Sequence, residues 1–247
     1  RVLMPDEPDV RGLLALLLLT DARRATRVDD AGRVVLLADQ DRARWDRAAI
    51  DEGVALVVAA MRRTRPGRFT LQAAIAALHA EAPTYQETDW PQVLRLYDVL
   101  ARVWPSQVVE LNRAVALAMV AGPDVALARV DELVADGRLA GYRYLPATRA
   151  DLLRRMGRDR EAAVEYRAAV ALSENEAERG FLVGRLAELG VAGWRQTGEH
   201  AEAHGGHPDD RPELRAVAAA EPADGAGDHR SGAEAAGRGE RGRPERS

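Results

Sequence analysis

Helix-length stretches with apolar residues at three- and four-residue spacing follow one another along most of this chain. In the first stretch, residues 9–26, the side chains of Val10, Leu14 and Leu17 keep this spacing. Proline and glycine separate the stretches, and the segment Val34–Leu37 is short and extended. The pattern therefore predicts an all-α fold class, a right-handed array of packed helical hairpins.

Turn and capping residues set the predicted helix boundaries. Asp39 or Asp41 can cap the second helix. Asp89 followed by Pro91 is typical of a helix start, because proline has no backbone N–H and the N–H groups of the first turn have no acceptor within the helix. The predicted helices cover residues 9–26, 39 or 41 to 63, 70–82, 89–105, 107–120, 124–135, 144–156, 160–172 and 175–189.

A repeat with a period of about 34 residues marks the C-terminal half. Its best unit places Gly157 at the turn, Ala162 at the close helix crossing and Tyr166 on the inner face, which are tetratricopeptide-like positions. Gly122 precedes Gly157 by about one repeat length, and Tyr97 precedes Tyr166 by about two. Arrays of such repeats bury apolar faces against their neighbours and leave a concave groove that holds another polypeptide.

Composition excludes several kinds of site. The chain has no cysteine, so disulfides, thiolate metal sites and a cysteine nucleophile are excluded. The formal net charge is -4, so no general basic field attracts nucleic acid. All 35 basic residues are arginine, which we attribute to a GC-rich genome. No glycine-rich phosphate loop or serine-nucleophile motif occurs, so we predict no enzyme, no cofactor and no metal site.

Polar and aromatic side chains within otherwise apolar helices are the candidates for a partner-binding groove. They are Gln72, His79, Asp89, Trp90, Tyr97, Asn112 and Arg113. Alternative interpretations stay open: Gln72 and Asn112 can bond to the backbone, and His79 can be a core or groove histidine satisfied by a hydrogen bond or, less simply, an acid–base catalyst.

The composition changes after about Thr197, where glycine, alanine, arginine and acidic residues replace large apolar residues. Such a segment cannot bury enough surface to offset its ordering entropy. We predict a helical-repeat domain over residues 1–190 and a disordered tail over residues 197–247, either a natural tail or the product of a frameshift.

Five strings of the sequence together carry a family resemblance. They are LLALLLLTDARR (13–24), LLADQDRARWDRAAIDEG (36–53), LQAAIAALHAEA (71–82), DWPQVLRLYDVL (89–100) and VVELNRAVALAMVAGP (108–123). They resemble the C-terminal extension of a group of bacterial extracytoplasmic-function sigma factors of the sigma-70 family. That extension has tetratricopeptide-like repeats and follows the two DNA- and polymerase-binding sigma regions. The resemblance covers about Leu3–Leu189.

The resemblance implies a regulatory module whose partner is a protein, either the sigma regions or an RNA polymerase-associated protein. The sigma regions are expected before Arg1, and no helix-turn-helix occurs here, so we expect no direct DNA binding from this chain. The apolar run Leu13–Leu19 is far shorter than the roughly 20 residues of a membrane span, so we expect no membrane insertion. The absence of cysteine fits the cytoplasm, where we expect this protein to be located. The alternatives are a stand-alone helical-repeat scaffold unrelated to transcription and an enzyme with a groove site at His79.

Overall fold

The computed structural model describes residues 8–62 and 65–190, and the predicted tail over residues 197–247 lies outside them. The described part is all-α, as predicted, with one isolated antiparallel bridge between Val28 and Val34. Its helices are α1 (Pro8–Asp21), α2 (Arg47–Met61), α3 (Arg68–Glu81), α4 (Trp90–Val103), α5 (Gln107–Ala121), α6 (Pro123–Asp136), α7 (Tyr144–Arg155), α8 (Asp159–Leu172) and α9 (Glu176–Glu188).

The first predicted helix ends earlier than its apolar pattern indicates. After Asp21 the chain makes a 3-10 turn over Arg24–Thr26, and the guanidinium of Arg27 donates to the carbonyl of Thr20 at 3.0 Å. A cation at this place satisfies a carbonyl that the helix leaves without a partner. The prediction that the helix continues to residue 26 was therefore wrong.

The second helix begins later than predicted. Asp46 caps α2, because its carboxylate accepts from the backbone N–H of Ala49 at 3.0 Å. Asp41 instead caps a 3-10 turn over Arg42–Arg44. Between the two caps Trp45 has an extended backbone, and its buried indole Nε1–H donates to the Thr26 hydroxyl at 3.0 Å. Burial of this ring interrupts the helix that either earlier aspartate would have started.

Helices α1 to α4 share one hydrophobic core, in which α1 packs against both α2 and α3. The N-terminal helices pack closely because Gly12 faces Thr70 on α3 and Gly53 faces Leu19 on α1. Helices α5 to α9 share a second core and pack largely as consecutive antiparallel neighbours.

The predicted repeat unit is present as the hairpin of α7 and α8. Gly157 at its turn has a φ of +71°, a left-handed conformation that favours glycine. Ala162, Tyr166 and Ala169 are completely buried on the inner face of α8. The packing predicted for these positions is therefore confirmed.

The two cores meet through α9. Phe181 packs against apolar residues of both cores. Val34, from the segment that joins α1 to α2, borders a small cavity of about 20 Å³ together with Tyr144, Phe181 and Leu182. The described array therefore curves until its first and last parts are in contact.

Candidate partner-binding groove

Three of the predicted groove residues lie inside the first core. The ring of His79 lies 5.0 Å from the ring of Trp90, which in turn lies 5.1 Å from the ring of Tyr85. His79 is 7% exposed and Trp90 is 5% exposed, and Tyr97 on α4 is buried as well. These rings fix the packing of α4 against α3, and they leave little surface with which a partner or a substrate could be held.

Asp89 has a local role. Its carboxylate accepts from the backbone N–H of Gln92 at 2.9 Å, so it caps α4, and Pro91 occupies the first turn of the helix. Removing such a cap typically costs about 1 kcal/mol. Asp89 therefore fixes where α4 begins.

Gln72 and Asn112 lie on different helices, α3 and α5, and both are half-buried. Gln72 stands between the buried residues Leu71 and Ala73. Asn112 directly precedes Arg113, the predicted residue that does reach an open groove. The structure does not gather the seven predicted residues into one surface.

An open groove of about 510 Å³ runs along α4 and reaches α5. Its lining residues combine charged and apolar side chains. They are Arg95, Asp98, Val99, Ala101, Arg102 and Arg113. Two helical turns of α4 form most of the wall, because positions spaced by three and four residues lie on one helical face.

An ion pair fixes the shape of the groove. Arg113 Nε on α5 lies 2.6 Å from Asp98 Oδ1 on α4, and Arg113 Nη1 lies 3.9 Å from Glu110 Oε2. The pair is only partly exposed, so it holds Arg113 across the two helices. The surface charge of Arg113 is consequently balanced by its own neighbours.

Arg95 and Arg102 supply the net charge of the groove. Both are exposed on α4, and neither forms an ion pair with any residue in the described part of the chain. Val99 stands between them in the groove wall and is half-buried. The groove thus presents two available guanidinium groups on either side of an apolar strip.

Sequence reasoning missed Arg95 and Arg102. Exposed arginines on a helix are ordinarily part of a solvated surface, so neither residue stands out by itself. One signal in the sequence could have identified them. They are separated by two helical turns with Val99 between them, and the opposite face of the same helix carries the aromatic residues Trp90 and Tyr97.

The described residues show neither a cluster of metal-binding side chains nor a membrane-spanning helix. Residues 8–62 and 65–190 contain no group of three or more histidine, aspartate or glutamate side chains placed to hold a metal ion. Among the helices of these residues, none has the length and apolar character needed to cross a membrane.

Comparison with known proteins gives two similarities. Residues 1–61 match DUF6596, a family of unknown function. Over 187 residues, 76% of this chain, the sequence is 46% identical to an uncharacterized protein of Rhizobium meliloti (strain 1021). The matched region is 44% of that relative, so this chain spans less than half of the relative's length. No solved structure matches the chain.

Proposed function

We propose that this chain is a partner-binding module of a bacterial extracytoplasmic-function sigma factor, and that it works in the cytoplasm by contacting a protein. The partner is either the sigma regions or an RNA polymerase-associated protein. The resemblance of the strings over residues 13–24, 36–53, 71–82, 89–100 and 108–123 supports this proposal. The relative's greater length also supports it, since more than half of that protein lies outside the match.

The groove along α4 is the observation that carries the proposal. Arg95 and Arg102 are available for carboxylates of a partner, and Val99 between them offers an apolar contact. An amphipathic helix or an extended segment with acidic residues has the complementary pattern. The groove therefore favours a protein ligand with an acidic, partly apolar contact surface.

The groove is already formed in the free chain, because the ion pair of Arg113 with Asp98 joins its two helices. A preformed surface loses little conformational entropy on binding. Charges at its rim mainly increase the association rate and the specificity, and their effect weakens with salt. Binding through this groove should accordingly weaken at high ionic strength.

The test measures binding of the purified chain to the sigma regions of a sigma factor that carries such an extension, supplied as a separate protein. The groove variant is Arg95→Glu with Arg102→Glu. Its matched control is Arg160→Glu with Arg167→Glu on α8, since these two arginines are exposed, have the same spacing and form no ion pair with another described residue. Circular dichroism establishes that both variants fold.

We expect the groove variant to raise the dissociation constant at least about tenfold, a loss of about 1.4 kcal/mol, whereas the control leaves it unchanged. Equal binding by both variants would show that the partner contacts a surface outside this groove. The same measurement is made with purified RNA polymerase. Failure of the wild-type chain to bind either the sigma regions or the polymerase would favour the alternative, a scaffold unrelated to transcription.

A further inference from the structure

The segment between α1 and α2, residues 22–46, is the longest connection in the described part of the chain. It contains two 3-10 turns, Arg24–Thr26 and Arg42–Arg44, and the isolated bridge between Val28 and Val34. Connections this long are uncommon in compact domains, and those that are well packed are frequently functional. We call it the α1–α2 segment.

The α1–α2 segment brings arginine side chains to one tryptophan. The guanidinium carbon of Arg42 lies 4.5 Å from the ring centre of Trp45, and that of Arg23 lies 5.9 Å from it. Trp45 is 3% exposed and Arg23 is 6% exposed. Two cations therefore share one buried indole.

The hydrogen bonds of Arg42 use only part of its guanidinium group. Its Nη1 donates to the carbonyls of His79 at 2.6 Å and Ala82 at 2.9 Å, at the end of α3. Its Nη2 is buried and has no hydrogen-bond partner within the described residues. The nearby Arg27 donates to the carbonyl of Thr20. Carbonyls at helix ends thus bind Nη2 of Arg27 and Nη1 of Arg42.

Among the described residues, no negative charge balances Arg23. No carboxylate of the described residues forms an ion pair with it, and the charges that perturb it are those of Arg27 and Arg42. Burial, followed by repulsion from these two arginines, lowers the pKa of Arg23 to about 10. A buried cation without a counter-charge destabilises a fold, so an arginine here needs a reason other than stability.

We propose that Arg23 and Arg42 bind a phosphate-type oxyanion beside Trp45. A phosphoryl group accepts several hydrogen bonds at once, and the planar fork of arginine matches its oxygens. Such an anion would supply the missing counter-charge of Arg23 and an acceptor for Nη2 of Arg42. This inference is independent of the proposed function, since the site lies outside the groove of α4.

Entry of the anion requires movement of the α1–α2 segment, to which Arg23 and Arg42 both belong. The segment has no helix longer than a single turn. Connections without long helices open at a lower free-energy cost than packed helices. The anion can therefore be free phosphate or a phosphate ester with a small substituent.

The experiment follows thermal unfolding of the full chain in sodium phosphate, sodium sulfate, phenyl phosphate and sodium chloride at equal ionic strength. We expect phosphate to raise the melting temperature by about 5 °C over chloride at a hundredfold excess over its dissociation constant. Stabilisation by phosphate alone identifies the free ion, and stabilisation by phenyl phosphate as well identifies a phosphate ester. Phosphorus-31 line broadening measures binding independently of unfolding.

The matched variants are Arg23→Met and Arg24→Met. Arg24 is the exposed neighbour and pairs with Asp21 at 2.6 Å, so its loss should leave the phosphate response intact. Arg23→Met should unfold in chloride at the same or a higher temperature than wild type, because a buried charge is removed, and should bind phosphate at least about tenfold more weakly. Arg23→Lys keeps the positive charge but lacks the planar guanidinium group, and it replaces the methionine variant in the binding measurement if that variant does not fold.

Two results would overturn the inference. One is the absence of both phosphate-specific stabilisation and line broadening in the wild-type chain. The other is an equal response of Arg23→Met and wild type, since general exclusion of phosphate and sulfate from protein surfaces stabilises both chains alike.

Discussion

Gly53 on α2 lies so close to Leu19 on α1 that a Cβ atom added to the glycine would stand 2.7 Å from Leu19 Cγ. Leu19 is almost completely buried and cannot easily move away. The helices α1 and α2 can approach this closely only while position 53 has no side chain, and this is why an otherwise unfavourable glycine stands inside a helix.

We expect Gly53→Ala to lower the free energy of unfolding by about 1–2 kcal/mol, since overpacking outweighs the gain in helix propensity. The controls are Gly180→Ala and Gly184→Ala on α9, where an added Cβ meets nothing within 4 Å. These should stabilise the chain by about 0.5–1 kcal/mol each. Urea denaturation at one pH measures the free energy of unfolding of all three variants. Stabilisation by Gly53→Ala would contradict the prediction and show that the side chain of Leu19 can move aside at little cost.

A second prediction concerns the close crossing of α7 and α8. Ala162 is completely buried there, so Ala162→Leu should destabilise the chain by about 1–3 kcal/mol. Val164 on the same helix is 59% exposed, and Val164→Leu should change stability by less than about 0.5 kcal/mol. Denaturant unfolding compares the two. A near-zero effect of Ala162→Leu would contradict the assigned repeat positions.

The phenol of Tyr166 makes stability depend on pH in the alkaline range. Burial first, and the carboxylate of Asp151 second, raise the pKa of Tyr166 above its ordinary value of 10.0. The unfolded chain therefore releases this proton at a lower pH than the folded chain. The stability that comes from Tyr166 is complete below about pH 10 and is lost as the pH rises toward the folded pKa.

We expect the free energy of unfolding to fall above about pH 10 by up to about 1.4 kcal/mol per pH unit from this group. Tyr166→Phe should remove that part of the dependence, whereas Tyr142→Phe, at a half-buried position, should keep it. Urea denaturation at several alkaline pH values measures the difference. Parallel curves for Tyr166→Phe and wild type would mean that the phenol ionises without hindrance in the folded state.

The sequence predicts α5 to α8 within about two residues, because Gly122, Gly157 and the flanking prolines interrupt the helical pattern locally. It fails at the start of α2, where several aspartates offer equivalent caps and the choice depends on burial of Trp45 against Thr26. Local sequence does not contain that contact, since the two residues belong to opposite ends of the α1–α2 segment.

The candidate groove was likewise predicted only in part, because local sequence indicates some of its residues and tertiary packing determines the others. Arg113 is identified from the sequence because it interrupts an apolar helix, whereas the role of Arg95 and Arg102 depends on which face of α4 remains uncovered. The aromatic residues Trp90 and Tyr97 attract attention by type, but their rings fill the core beneath that face. Residue type indicates the helix involved, and only packing decides which of its sides is available.

The last prediction is that this chain alone binds no promoter DNA with sequence specificity. The net charge is -4, and Arg95 and Arg102 are the two available cations of the groove. Two phosphate contacts predict a fall in affinity of only about tenfold between about 50 and 200 mM salt, from an already weak value. Gel-shift titrations against promoter and scrambled duplexes at both salt concentrations measure this. Tight binding to one duplex that falls by several orders of magnitude with salt would contradict a purely protein-binding role, since it would require a basic surface with many phosphate contacts.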